Sequence, residues 1–225
     1  MMVLFKSMLN ATTKYSMQFT NGYSGIQPVD NLLISFFNIL MTNWFVLFWS
    51  IYDQDVSFSK YGTTNKDGSS EEEKLPFKLS EYYAYCREFM NRQRFVKMII
   101  LTDIYSVVFG FIIFFVYYYG EGVLGAEGEV FGLYTYGVFS VASAVIVHHL
   151  QVLINVRNFT PWLTFWFCFS ICMLPLVLKI SDSMPKSNVR GSTFAHILNS
   201  PFILLMMLLV ISVCAIPLYF NKKVR

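Results

Sequence analysis

Lys6, Ser35, Asn38 and Thr42 are the side chains whose type and setting could do chemistry in this sequence. Lys6 stands in the stretch Met1–Tyr23. If that stretch is embedded in a bilayer, its ammonium needs a water-filled cavity, a partner or a route to the interface. The plain alternative is a solvated lysine near a chain start. Asn38 lies inside a second, strongly apolar stretch, where an unpaired amide is costly. It is expected to bond across to a neighbouring helix, near Lys6 or Asn10. Ser35, Asn38 and Thr42 fall at i, i+3 and i+7 and are expected to share one helix face, with Asn43 on the same helix. Such a face suits either a polar path or simple helix–helix adhesion at about 0.6 kcal/mol per bond.

The other reactive side chains point to structure. His148 and His149 are neighbours, and adjacent helix positions project about 100° apart, so the pair cannot easily chelate one metal. They are expected to be buried and hydrogen-bonded. Cys86, Cys168, Cys172 and Cys214 have neither zinc nor CxxC spacing, and are expected to be small core residues. No metal site is expected. Asn21-Gly22-Tyr23-Ser24-Gly25 is a turn by its chemistry, with Asn21, Gly22 and Gly25 supplying positive φ and a tight reversal.

The elements that must position these residues are membrane helices. The chain is 55% hydrophobic and 14% charged, against about 45–50% and about 25% in an average soluble domain. A spanning helix needs roughly 20 mostly apolar residues, because its backbone must be bonded within itself. Leu32–Tyr52, Val96–Tyr119, Phe131–Ile154, Pro161–Ile180 and Pro201–Phe220 meet that demand. Met1–Tyr23, with Lys6, Lys14 and Gln18, would fail on hydropathy, since Lys costs about 2.5–3.5 kcal/mol at a helix centre. The expectation is an all-α integral membrane protein, a bundle of about six transmembrane helices. Signal-peptide architecture is lacking, so Met1 onward is expected to be retained. A net charge of +3 gives no reason to expect nucleic acid.

Charge sets an orientation. Alternate connections, with the tail, hold twelve Lys and Arg on one side and three on the other. The positive-inside rule places Asp53–Phe95, Arg157 and the C-terminal tail in the cytoplasm, and the turn at Gly22–Asp30 outside. Lys60–Lys74, with glycines, serines and Glu71-Glu72-Glu73, reads as solvated and flexible. Leu79–Phe95 interleaves aromatics with Arg87, Arg92 and Arg94; it is expected either as a surface helix in the headgroup layer or as a loop packed on further soluble domains. Trp162 and Trp166 fit an interfacial aromatic belt.

Phe5-Lys6-Ser7, Asn21 to Gly25, Phe37-Asn38 and Ile51-Tyr52-Asp53-Gln54-Asp55-Val56 together resemble the fifth and sixth membrane helices of type IV P-type ATPases, the phospholipid flippases. There a pattern close to F-Y-K-N is followed by N-G-F-S-G, Y-N-V and F-D-Q-D-V. The intervals match without a gap: Lys6 to Asn21 is 15 residues, Asn21 to Asn38 is 17, and Asn38 to Asp53 is 15. The resemblance implies that residues 1–56 are spans five and six with their outer turn, 57–95 a cytoplasmic loop, 96–220 four further spans and 221–225 a basic cytoplasmic tail. It implies that Met1–Tyr23 spans the membrane, and that Lys6 sits mid-membrane, linking lipid recognition to dephosphorylation of the pump. Lys6, Asn38, Ser35 and Thr42 become candidates for the lipid path.

The sharp part of the match covers Phe5–Val56; from Val96 onward it rests on span lengths, loop sizes and a rough likeness around Leu150–Trp162. Ser7 stands where the family has Asn, Trp44-Phe45 replaces an expected proline, and the cytoplasmic Tyr-Pro-Glu-Leu-Tyr pattern is missing. The sequence holds no Asp-Lys-Thr-Gly phosphorylation site and no Gly-rich phosphate loop, so these residues alone are not expected to hydrolyse ATP. Magnesium and ATP are implied only for a complete pump. Phospholipid, the remaining pump domains and a two-span accessory subunit are the partners the resemblance implies. A second reading is a non-enzymatic scaffold or regulatory module built from the same helices, as in protist cyclases that carry a flippase-like region. An unrelated six-span channel or carrier fits less well, because Val96–Phe220 is poor in polar residues apart from Asp103, His148 and His149.

Overall fold

The structure is a computed structural model, and it describes residues 2–53, 92–120, 132–156, 159–184 and 200–224. Among them six helices and no strand occur: α1 (Met2–Thr20), α2 (Asn31–Tyr52), α3 (Arg92–Gly120), α4 (Leu133–Asn155), α5 (Pro161–Ser183) and α6 (Pro201–Val224). Helices α2 to α6 are long and apolar enough to cross a membrane. They coincide within a few residues with the five apolar stretches of the sequence. The expectation for Lys60–Lys74, that for Leu79–Phe95 over residues 79–91, and most of the charges that set the orientation lie outside the described residues, while residues 92–95 open α3.

Helix α4 is the hub. Its most apolar window is 78% buried, against 22% to 33% for the other four spans, and it touches each of the other five helices. Small residues on it, among them Gly137, Ser140, Ala142, Ser143 and Ala144, let neighbours approach closely. A Cβ at Gly137 would lie 1.8 Å from the Pro28 carbonyl oxygen, so the chain entering α2 rests directly on α4. Gly110 of α3 does the same for α1, where an added Cβ would meet the Thr12 side chain at 2.7 Å. Tyr136 of α4 donates to the Thr13 carbonyl of α1 at 2.7 Å. These contacts hold α1 against α3 and α4 although it has the least apolar surface to bury.

The outer surface is apolar, as in a helix bundle solvated by lipid rather than water. Ile100, Ile104, Val108 and Phe115 are exposed along α3, and Leu205, Leu208, Ile216 and Phe220 along α6. One sequence expectation is corrected here. Cys168 and Cys172 are exposed on this surface and only Cys214 is buried, because positions 168 and 172 are one turn apart on the side of α5 away from the bundle. Cys86 lies outside the described residues. Trp162 is also exposed, whereas Trp166 stacks on Phe48 of α2 with ring centroids 3.9 Å apart.

Candidate functional site

The seam between α1 and α2 is built around a buried cation. Phe5, Lys6 and Leu9 turn one face of α1 inward, and Lys6 is 2% exposed. Its Nζ donates to the Thr42 hydroxyl at 2.9 Å, to the Asn38 carbonyl at 3.2 Å and to Asn43 Oδ1. An ammonium has three hydrogens, and three acceptors on one neighbouring helix take all of them. Thr42 in turn donates its own hydroxyl hydrogen to the Phe37 carbonyl at 2.7 Å, so one hydroxyl both accepts from Lys6 and donates along α2.

What presents these acceptors is an irregular turn. Residues Phe37–Asn43 form a π-helical segment inside α2, closed by a bond from the Trp44 amide to the Ile39 carbonyl. A π turn takes one residue more than an α turn and is frequently found at functional positions. It stands immediately before Trp44-Phe45, where the expected proline is missing, and supplies a helix irregularity without one. It also corrects the expected polar face: Ser35 and Asn38 are exposed, and only Thr42 points inward. The α-helical arithmetic of i, i+3 and i+7 fails because the extra residue rotates everything after position 37. Ser35 closes on its own helix, donating to the Asn31 carbonyl at 2.9 Å. Asn38 meets Lys6 through its main-chain oxygen, not its amide side chain. Asn43 joins the site instead, and Asn10 has no bond to Asn38.

A second layer fixes the π segment from behind. The Ser170 hydroxyl of α5 contacts the Met41 carbonyl at 2.5 Å and His149 Nε2 at 2.8 Å, while His149 Nδ1 lies 2.7 Å from the Val145 carbonyl. Three contacts among two carbonyls, a hydroxyl and a ring need three hydrogens. A neutral imidazole and a hydroxyl supply two. The Ser170 hydrogen therefore serves either Met41 or His149, and the choice is tied to which ring nitrogen carries the proton. Phe45 lies parallel to the His149 ring at 5.1 Å, which keeps that ring in place. His148 differs: it is fully buried, stacks on Phe5 at 6.4 Å, and neither ring nitrogen has a hydrogen-bond partner among the described residues.

The turn between α1 and α2 behaves as its residues dictate. Gly22 and Gly25 have φ of +60° and +73°, and Tyr23 also adopts a positive φ of +57°. Amides 21 and 23 bond back to Met17 and Gln18 and close the end of α1. Further on, Asp30 accepts from Ser181 of α5 at 3.0 Å, which ties this end of the seam to the bundle. Asp53 at the opposite end of α2 accepts from Trp49 Nε1 at 3.0 Å.

The fold is that of a multi-pass membrane protein whose interior holds a lysine bonded between two adjacent helices. The family described as phospholipid-translocating P-type ATPase C-terminal matches residues 1–225, and the chain belongs to that family. Among curated proteins no relative matches. The substrate of the family is phospholipid, and the setting is the membrane. Among the described residues no group of three or more His, Cys, Asp or Glu could hold a metal, and the sequence lacks both phosphate-handling motifs.

Proposed function

We propose that the α1–α2 seam is where this region of the pump meets the phospholipid headgroup, with Lys6 as its central group. One observation carries the reading: a buried ammonium whose three hydrogens are all taken by acceptors in or beside the π segment of α2. A charge inside a membrane persists only where it is bonded or hydrated, and such groups mark substrate routes by default. In this arrangement Lys6 has no hydrogen free for a phosphate. A headgroup that binds there must displace an acceptor, and the main-chain oxygen of Asn38 is the more distant of the two measured at 3.2 and 2.9 Å. Occupancy by lipid is thereby coupled to the geometry of the π segment, since a ligand shifts an equilibrium by its differential contacts in the two states.

In a complete pump the remaining domains supply aspartyl-phosphate chemistry with magnesium and ATP, and the headgroup moves from the outer to the cytoplasmic leaflet. The basic segment 53–95 and the tail then face the cytoplasm and the Gly22–Asp30 turn faces outward, with a two-span subunit as a further partner. The test is photolabelling of the full chain in phosphatidylcholine vesicles containing a lipid with a diazirine on its headgroup. Labels mapped by mass spectrometry are expected on α1 near Lys6 and on α2 between Asn38 and Asn43, and Lys6→Met should remove them. Label confined to the outer apolar surface, and indifferent to Lys6→Met, would overturn the reading.

A further inference from the structure

The same seam holds a second lysine that the Lys6 cluster does not use. Lys14, eight residues along α1, lines a cleft of about 350 Å³ together with Tyr15, Gln18, Gln27, Val29 and Ile34. That volume falls in the ~300–1,000 Å³ range of small-molecule sites. Lys14 is half-buried and has no hydrogen-bond or ion-pair partner among the described residues. Asp30, the acid of the adjoining turn segment, does not line the cleft, and its carboxylate accepts from Ser181 of α5 at 3.0 Å. Gln18 donates to the Ile26 carbonyl at 3.2 Å and so ties the turn to α1 beside the cleft. Gln27 adds an exposed amide to the lining. The cleft thus offers a cation and amide donors without a resident anion.

Its depth is set by aromatic side chains. Tyr15, Phe19 and Tyr23 form an exposed ladder at one end of α1, with ring centroids 5.1 and 5.5 Å apart. Exposed tyrosines are characteristic of the membrane–water interface, so the cleft opens at headgroup level. Eight residues at ~1.5 Å each place Lys6 about 12 Å deeper, close to the middle of a core about 30 Å thick. The two cations share one seam: Lys14 shares its cleft with Ile34 of α2, and Lys6 bonds Asn38, Thr42 and Asn43 of the same helix.

We infer that the Lys14 cleft is a binding site for the phosphodiester of a membrane phospholipid, held at the mouth of the seam before the headgroup reaches Lys6. The inference deepens the reading of the seam as the headgroup route and rests on it. Lys14 supplies a charge-assisted bond to a phosphate oxygen and the glutamine amides supply neutral ones. A lysine that merely extends toward water to escape the bilayer would show no preference for phosphate.

The experiment is native mass spectrometry of the full chain in neutral maltoside micelles with equimolar dioleoylphosphatidylcholine and dioleoylglycerol. Retention of the phospholipid over the diacylglycerol is expected. Lys14→Gln should weaken phospholipid retention about tenfold, the loss of one bond to a charged group, and Lys14→Arg should preserve it. Lys179→Gln is the control: this exposed lysine of α5 lies near Ser181, at the same end of the bundle and outside the cleft. Equal retention in Lys14→Gln, or an equal loss in Lys179→Gln, would overturn the site. Displacement of the lipid by millimolar inorganic phosphate would assign the cleft to free anions and overturn the lipid. The deeper site fails separately: loss in Lys14→Gln with no change in Lys6→Met retains the cleft and removes Lys6 from the route.

Discussion

Removing an acceptor from Lys6 should harm the fold more than removing Lys6 itself. Thr42 accepts from Lys6 at 2.9 Å and donates to the Phe37 carbonyl at 2.7 Å. Valine keeps its shape and deletes both bonds. A bond to a charged group is worth about 1.5–3 kcal/mol and a neutral one about 0.5–1.5, so Thr42→Val should cost about 2–4.5 kcal/mol. Lys6→Met removes three bonds but also removes a charge whose burial costs several kcal/mol, and such exchanges are often close to neutral. In the Lys6→Met background, Thr42→Val loses only the bond to Phe37, about 0.5–1.5 kcal/mol. The double-mutant cycle should therefore return a coupling of about 1.5–3 kcal/mol. The assay is reversible unfolding of the full chain in bicelles, followed by tryptophan fluorescence; Trp44 and Trp49 sit on α2 and Trp166 packs against Trp44 at 6.0 Å. Neutral interhelical bonds in membranes average about 0.6 kcal/mol. A coupling at or below that value would mean that Lys6 does not engage α2 as a charged donor, and the account of the seam would fall with it.

Other perturbations separate the supporting contacts. Ser170→Ala should free the Met41 carbonyl and cost about 1–3 kcal/mol, and His149→Leu should cost a similar amount; in the same unfolding assay their effects should not add, because they share one chain of bonds. His148→Leu should instead be neutral or stabilising, since both of its buried ring nitrogens lack partners among the described residues; marked destabilisation would reveal a bound water or ion at that ring. Gly137→Ala should disrupt the approach of the Pro28–Val29 backbone to α4, lowering the thermal midpoint far more than Ala142→Gly on the same helix. Tyr136→Phe should cost about 1 kcal/mol through the lost bond to Thr13 and should loosen α1 in particular, read as faster amide exchange over residues 5–16.

Much of this architecture was legible in the chain because a bilayer imposes a simple demand. The five helices α2 to α6 follow from stretches too apolar and too long for anything else. Helix α1 is different: Lys6, Lys14 and its Ser and Thr residues hide it from hydropathy, and only the matched register of Lys6, Asn21, Asn38 and Asp53 pointed to it. The π segment left no mark, since Phe37–Asn43 contains neither proline nor glycine and its extra residue is a product of tertiary contacts with α1 and α5. That single irregularity explains why Thr42 turns inward while Ser35 and the Asn38 side chain stay outside, and why the exposed Asn43 still reaches Lys6. The close approaches at Gly110 and Gly137 emerged only with the structure, since the partner of each depends on packing that spacing does not encode.

The arrangement also suggests how a region without ATP-handling motifs could matter to a pump that uses them. Lys6 is bonded to α2 alone, α2 is pinned through Met41 to Ser170 of α5, and Ser170 reaches His149 of the central helix α4. On the proposed route, a headgroup that took one hydrogen from Lys6 would have to release an acceptor in a turn held from two sides. The strain has few outlets, because α4 is packed on every side by its neighbours and interiors at such density switch between arrangements rather than deform smoothly. On the proposed headgroup route, a rigid hub with one irregular turn beside a buried cation would convert a local exchange of hydrogen bonds into movement of a whole helix. Simple adhesion between α1 and α2 would need neither the π segment nor the second layer behind it.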